Sequence, residues 1–215
     1  MSKKRMKYFL ISLIILGIAI AALGKPQQVK ATAYNNIGGS FMSECYGSIW
    51  FYNNSTYSSW RLTDGANVWH KNGKIDVLNK NFKSYNLSSG KKVFVDLIVY
   101  SDDYSDTALF GGYGANSSGL YIKTWGGRPY QENQTGQIYL NDYVMWNTKK
   151  GKYFTDTQIK HTIAHEFGHS LGLGHNPYEG NIMKQGFLNY ITIGRDDNDS
   201  YEARWGRNSF WGGGY

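Results

Sequence analysis

Cysteine is nearly missing: the 215 residues include one, Cys45. No internal disulfide can form, so the fold must rest on a packed core rather than on cross-links. Proline is almost as scarce, with three, so few points in the chain force a break in a helix or strand. Charged residues make up 18%, below the roughly 25% of an average domain. Acidic residues are absent from positions 1–31, where Lys3, Lys4, Arg5, Lys7, Lys25 and Lys30 lie. Those six cations account for all but one unit of the +7 net charge. The rest of the chain is close to neutral and carries no basic stripe interleaved with aromatics. Charge gives no case for nucleic-acid binding.

Long apolar runs are absent with one exception. Residues 8–23 form an apolar stretch broken only by Ser12 and Gly17, preceded by the lysine cluster and followed by small residues ending at Ala31 or Ala33. This three-part pattern is that of a secretory signal peptide, expected over residues 1–31. The other reading is an uncleaved anchor, for which sixteen residues are few against the roughly 20 that span a bilayer. No stable membrane span is expected after cleavage. A single-cysteine exported domain suits a bacterial protein that folds outside the cell without disulfides.

Aromatics are plentiful: 16% of the chain, with 18 Tyr and 7 Trp. They can bury enough area for one domain. Residues 32–47 read as a polar lead-in, residues 48–206 as a single domain and residues 207–215 as a glycine- and aromatic-rich tail. Within the domain, residues 48–52 read as a strand stopped by Asn53-Asn54, and residues 57–70 as a helix stopped by Asn72-Gly73. Strands are expected at 74–78, 92–100 and 137–140. Residues 102–125 are glycine-rich and read as a long surface loop with a short strand at 120–123. Thr155 and Gln158 stand at capping-box spacing and open a helix over 156–171. A last helix is expected at 196–205.

The stretch His165-Glu166-Phe167-Gly168-His169-Ser170-Leu171-Gly172-Leu173-Gly174-His175 reads H-E-x-x-H-x-x-G-x-x-H. Ile159, Ile163, Phe167 and Leu171 recur every four residues and mark a core-facing stripe. His165 and His169 are also four apart, so they share another face and can approach one ion. Gly172 can take the left-handed conformation that ends a helix, letting the chain turn so that His175 reaches the same ion. Three imidazoles leave a fourth position for water, which is the ligand set of a catalytic zinc rather than a structural one. Glu166 stands beside that water as a general base and later proton donor. His161 cannot share the ion with His169 and reads as a group that supports a ligand without touching the ion, or as an exposed one; His70 reads as a surface residue.

The motif resembles the matrixin branch of the metzincin metalloproteases. Asn181-Ile182-Met183 follows, with Met183 eight residues after His175, the family's spacing for a methionine turn beneath the zinc. The Asp196-Asp197 pair and the run to Trp205-Gly206 resemble the family's closing helix. Residues 136–146 are similar to the family segment G-D-x-H-F-D-x-x-E-x-W. There, Tyr139 replaces a structural-zinc histidine, and Asn141 and Val144 replace calcium-binding acids. A second zinc is therefore expected to be absent. Asp102, Asp103 and Asp106 offer oxygen ligands for Ca²⁺, although a solvated acidic loop accounts for them better. Cys45, in Glu44-Cys45-Tyr46-Gly47, does not match the family's P-R-C-G-x-P-D latency motif and reads as a structural or free thiol.

The resemblance implies an α+β, zincin-like catalytic domain: a twisted, mixed five-stranded sheet, three helices and an active-site cleft. It implies a secreted, monomeric endopeptidase acting on protein or peptide substrates, with Zn²⁺ on His165, His169 and His175 and Glu166 as the catalytic residue. A substrate strand is expected along the sheet edge at Ile138, Tyr139 and Leu140, with Phe187 beside the specificity pocket. A different class stays open, an exported surface-binding or adhesion module that retains a non-catalytic zinc.

Overall fold

The computed structural model describes residues 47–72, 75–103, 111–114, 129–145, 154–186 and 188–206. The signal-peptide segment, residues 32–46 with Cys45, Asp106, the expected strand at 120–123, Phe187 and the tail 207–215 lie outside the described residues.

The domain opens with β1 (Ser48–Asn54). Its alternation places Ile49 and Phe51 on one face, both fully buried, and Trp50 and Tyr52 on the other. The Asn53 side chain accepts a hydrogen bond from the Ser55 N–H at 2.9 Å and turns the chain out of the strand. Helix α1 (Ser59–Ala66) follows, then a 3₁₀ turn, Trp69–Asn72. The helix is shorter than its sequence pattern suggests. Trp69, fully buried, leaves the helical path to donate from Nε1 to the Ala164 carbonyl at 2.7 Å, a tertiary bond that overrides local propensity.

Strands β2 (Asp76–Lys80), β3 (Ser84–Asn86), β4 (Lys92–Phe94) and β5 (Leu97–Asp102) come next. The single strand expected over residues 92–100 is thus two. β4 pairs antiparallel with β3 in a separate small sheet, whereas β5 pairs parallel with β1. Asp96 is the pivot. It is fully buried, donates from its N–H to the Trp50 carbonyl at 2.9 Å, and accepts from the Trp50 N–H at 2.7 Å. A β-branched run reveals strand character but not a change of partner.

β6 (Gly111–Gly114) falls inside the expected glycine-rich loop, and β7 (Gly136–Asn141) follows. The main sheet has the order β2-β1-β5-β7-β6, with β6 alone antiparallel. Helices α2 (Asp142–Met145), α3 (Asp156–Ser170) and α4 (Arg195–Trp205) complete the chain. The expected α+β architecture with a mixed five-stranded sheet is present, with three main helices and the single turn of α2.

Ile49, Phe51, Val77, Leu97, Val99, Ile138 and Leu140 project from one face of the sheet into the core. Against them lies α3, whose Ile159, Ile163, Phe167 and Leu171 are all buried. The Phe51 and Phe167 rings meet at 4.9 Å. α1 rides close to α3 at Gly65, where a Cβ would overlap the Ile163 side chain. Helix α3 is thereby fixed between the sheet and α1. After α3 the described chain runs to α4 without a further strand, apart from one isolated bridge, Asn176 to Lys184.

Candidate metal centre

Helix α3 begins with the capping box its sequence announces. The Gln158 N–H donates to Thr155 Oγ1 at 3.2 Å, and the Thr155 N–H donates to Gln158 Oε1 at 2.8 Å. Two of the helix's orphan donors are satisfied reciprocally. The other end closes on Gly172, at φ 82°. The Leu173 N–H reaches the Gly168 carbonyl at 3.0 Å and the Gly172 N–H reaches the His169 carbonyl at 2.8 Å. This pair of bonds is the Schellman closure. It turns the chain back, and His175 arrives with its Nε2 3.0 Å from Nε2 of His169.

One ligand nitrogen from each of His165, His169 and His175 lies within 4.8 Å of the others. Zinc–nitrogen bonds of about 2.0–2.1 Å at tetrahedral angles put two nitrogens about 3.3 Å apart, so the His169–His175 spacing suits a shared ion. The other ring nitrogens decide the tautomers. His165 Nδ1 is 2.8 Å from the Ile182 carbonyl and His169 Nδ1 is 2.8 Å from the Leu173 carbonyl. A carbonyl only accepts, so both rings carry their proton on Nδ1 and present a bare Nε2. Burial lowers the pKa of all three histidines. His165 falls to about 3, with His169 beside it as a second cause, and His169 falls to about 4. The imidazoles are neutral, as metal ligation requires.

Glu166 follows His165 on the helix and is 4% exposed. Burial pushes its carboxyl up to about 8, and its Oε2 has no hydrogen-bond partner among the described residues. Beside it runs β6. A Cβ on Gly111 would lie 2.9 Å from Glu166 Oε1.

Met183 is buried beneath the helix. Its Sδ occupies the space a Cβ on Gly168 would need. The Met183 carbonyl accepts from the Asn176 N–H at 3.0 Å. The turn 181–183 is held from below by Asp197, which is fully buried at the start of α4. Its carboxylate accepts from the N–H groups of Ile182 and Met183 and from Asn176 Nδ2 at 2.7 Å. Because the Ile182 carbonyl in turn orients His165, α4 supports the metal centre through one backbone turn. Sequence alone marked Asp197 only as half of an acidic pair at a helix start; its full burial was the missing signal.

Other sequence expectations fare differently. Ile138 and Leu140 are in the core, and Tyr139 lies on the opposite face of the sheet, stacked on Tyr100 at 5.7 Å. β7 is paired on both sides, with β5 and β6, so it offers no free edge to a substrate strand. The terminal strand among the described residues is β6. His161 is neither exposed nor a ligand. It is 2% exposed, its Nδ1 is 2.6 Å from the Tyr190 carbonyl, and its Nε2 has no partner among the described residues. It ties α3 to the segment that follows the methionine turn. His70 accepts from the Val77 N–H at 3.2 Å and is half-buried. Asp102 and Asp103 are exposed, and among the described residues the three histidines are the only group of three or more His, Cys, Asp or Glu that could hold a metal ion.

A family model described as Matrixin matches residues 69–205. Among curated proteins, interstitial collagenase of Bos taurus is 29% identical over 106 residues, covering 48% of this chain and 20% of that protein. The hatching enzyme of Paracentrotus lividus is 26% identical over 155 residues, covering 67% of this chain and 23% of that protein. The chain thus spans about a fifth of the length of these curated relatives. Among solved structures, archaemetzincin from Methanopyrus kandleri aligns with a TM-score of 0.44 at 15% identity, over 75% of this chain and 97% of that one. Myroilysin aligns with a TM-score of 0.42 at 14% identity, over 75% and 93%. The matched stretch begins at Trp69, whose indole bonds to α3, takes in all three histidines, and ends at Trp205 in α4, and the chain belongs to the matrixin family.

Proposed function

We propose that the protein is a zinc-dependent endopeptidase that hydrolyses peptide bonds in protein or peptide substrates. The observation that carries this reading is the pairing of three neutral, converging imidazoles with a buried carboxylate one residue from the first of them. A structural zinc site has no use for Glu166.

His165, His169 and His175 would hold Zn²⁺ through Nε2. The ion, when bound, supplies Lewis-acid polarisation of the scissile carbonyl and acidifies a water. The residues do the rest. Glu166 takes the proton of the attacking water on its carboxylate and delivers it to the departing amide nitrogen. Met183 and Asp197 hold the turn that fixes His165, and Gly172 aims His175. β6, the terminal strand of the sheet among the described residues, offers backbone groups on which an extended substrate can pair.

The N-terminal segment supports export, with residues 1–31 removed as a signal peptide. Among the described residues no helix is long and apolar enough to cross a membrane.

Glu166→Gln keeps the side chain's size and removes its basicity. Peptide-library cleavage followed by mass spectrometry is expected to show hydrolysis by the wild type and none by the variant, with one zinc bound to each. An active Glu166→Gln protein would sink the assignment.

A further inference from the structure

Three glycines close to the metal centre are held by their surroundings, two of them for plain structural reasons. Gly172 needs its positive φ, and Gly168 makes room for Met183. Gly111, on β6, has an ordinary strand conformation that any residue could adopt. What it lacks is space. A Cβ built there would lie 2.9 Å from Glu166 Oε1, 3.1 Å from Glu166 Cγ and 3.2 Å from the Tyr139 carbonyl oxygen. The first of these is closer than real Cβ atoms come to any neighbour. The carboxylate therefore rests against the backbone of β6 in a hollow that exists because residue 111 has no side chain. The hollow has rigid walls. β6 is bonded to β7 in register, Gly111 opposite Leu140, and Leu140 is fully buried in the core. Glu166 is itself buried on α3, so a displaced carboxylate cannot swing freely into solvent.

We infer that Gly111 is a positioning residue for Glu166: the bare strand backbone sets where the carboxylate sits, and hence its aim at the reacting atoms. This inference rests on the reading of Glu166 as the general base. A β-carbon at position 111 leaves the histidines in place and shifts the β6–β7 pairing at Tyr139 by only a few tenths of an ångström, but moves the carboxylate off line, and misplacing a catalytic group by about 1 Å can cost on the order of 100-fold in rate. The loss falls on kcat, because substrate pairs with backbone groups that alanine retains. Trimming the carboxylate by one methylene, in Glu166→Asp, relieves the crowding. The two positions are therefore coupled rather than independent.

The test is a double-mutant cycle in the full chain with zinc: wild type, Gly111→Ala, Glu166→Asp and the pair, each assayed for kcat, KM, zinc content and thermal midpoint. The expected result for Gly111→Ala is a kcat lowered at least tenfold, KM within about twofold, and one zinc still bound. In the alanine background, Glu166→Asp is expected to cost at least fivefold less than in the wild type, or to restore rate. Full kcat in Gly111→Ala, or strictly multiplicative losses, would overturn the inference. Should Gly111→Ala not fold, Gly111→Ala/Glu166→Ala decides. With the carboxylate trimmed away that pair is expected to fold, and its failure to do so would also overturn the inference. An active Glu166→Gln enzyme would instead overturn the base assignment on which the inference stands, so the two failures are separable.

Discussion

Single residues at this centre are set by backbone geometry as much as by chemistry. Gly172 carries both demands: φ 82°, and Arg204 filling the place a Cβ would take. A left-handed conformation costs a non-glycine residue about 1–2 kcal/mol, and the displaced guanidinium adds to that. Gly172→Ala is expected to lower the thermal midpoint and to weaken zinc binding in chelator competition, because His175 loses its aim while His165 and His169 keep theirs. Unchanged zinc affinity would separate the turn from the ligand. Asp197 makes a second, pH-dependent case. Burial raises its carboxyl from 3.8 to about 6, against the pull of the Met183, Ile182 and Gly194 amides and the Asn176 side chain. Between about pH 4 and 6 the folded protein holds this proton more tightly than the unfolded chain, so the contribution of Asp197 to stability falls as pH rises through that window. Asp197→Asn cannot titrate. The stability advantage of wild type over Asp197→Asn should shrink as unfolding is measured from about pH 4 to about pH 7, and a constant gap would contradict the assignment.

At the scale of elements, the active-site helix was the most legible part of the chain. Its four-residue apolar spacing, its capping box and its terminating glycine are all local signals, and each is present as read. Thr155→Ala removes one side of the capping box and is expected to cost about 1 kcal/mol, seen as a lowered thermal midpoint with the zinc site spectroscopically unchanged. The strands were less legible. The run at residues 92–100 has the composition of one strand, yet Asp96 hands its two halves to different sheets. β6 escaped notice because Gly111, Gly112 and Gly114 have no strand preference of their own; it is a strand because β7 pairs with it. That pairing also makes β6 rather than β7 the terminal strand among the described residues, and Ile138 and Leu140, expected beside the cleft, are buried in the core. Alternation along a strand tells which residues share a face, but not which strand lies beside it.

For the whole molecule, the core and the metal centre use opposite faces of the same helix. Ile159, Ile163 and Phe167 pack on the sheet, while the ligand nitrogens of His165 and His169 converge with that of His175. Removing zinc is therefore expected to abolish hydrolysis while most of the far-ultraviolet circular dichroism and a cooperative thermal transition persist. Loss of both on mild chelation would mean that the metal, not the core, holds the fold. The sequence by itself determined which three histidines converge, the carboxylate that follows the first of them, the helix that carries these residues and the turn that ends that helix, because these depend on spacings of a few residues along one short stretch. The tertiary structure alone decided that Asp197 buckles the turn under His165, that His161 ties down the segment at Tyr190, and that a glycine on the edge strand shapes the space around Glu166. Each of those contacts joins residues 14 or more positions apart, and no local pattern records which distant backbone a side chain will meet.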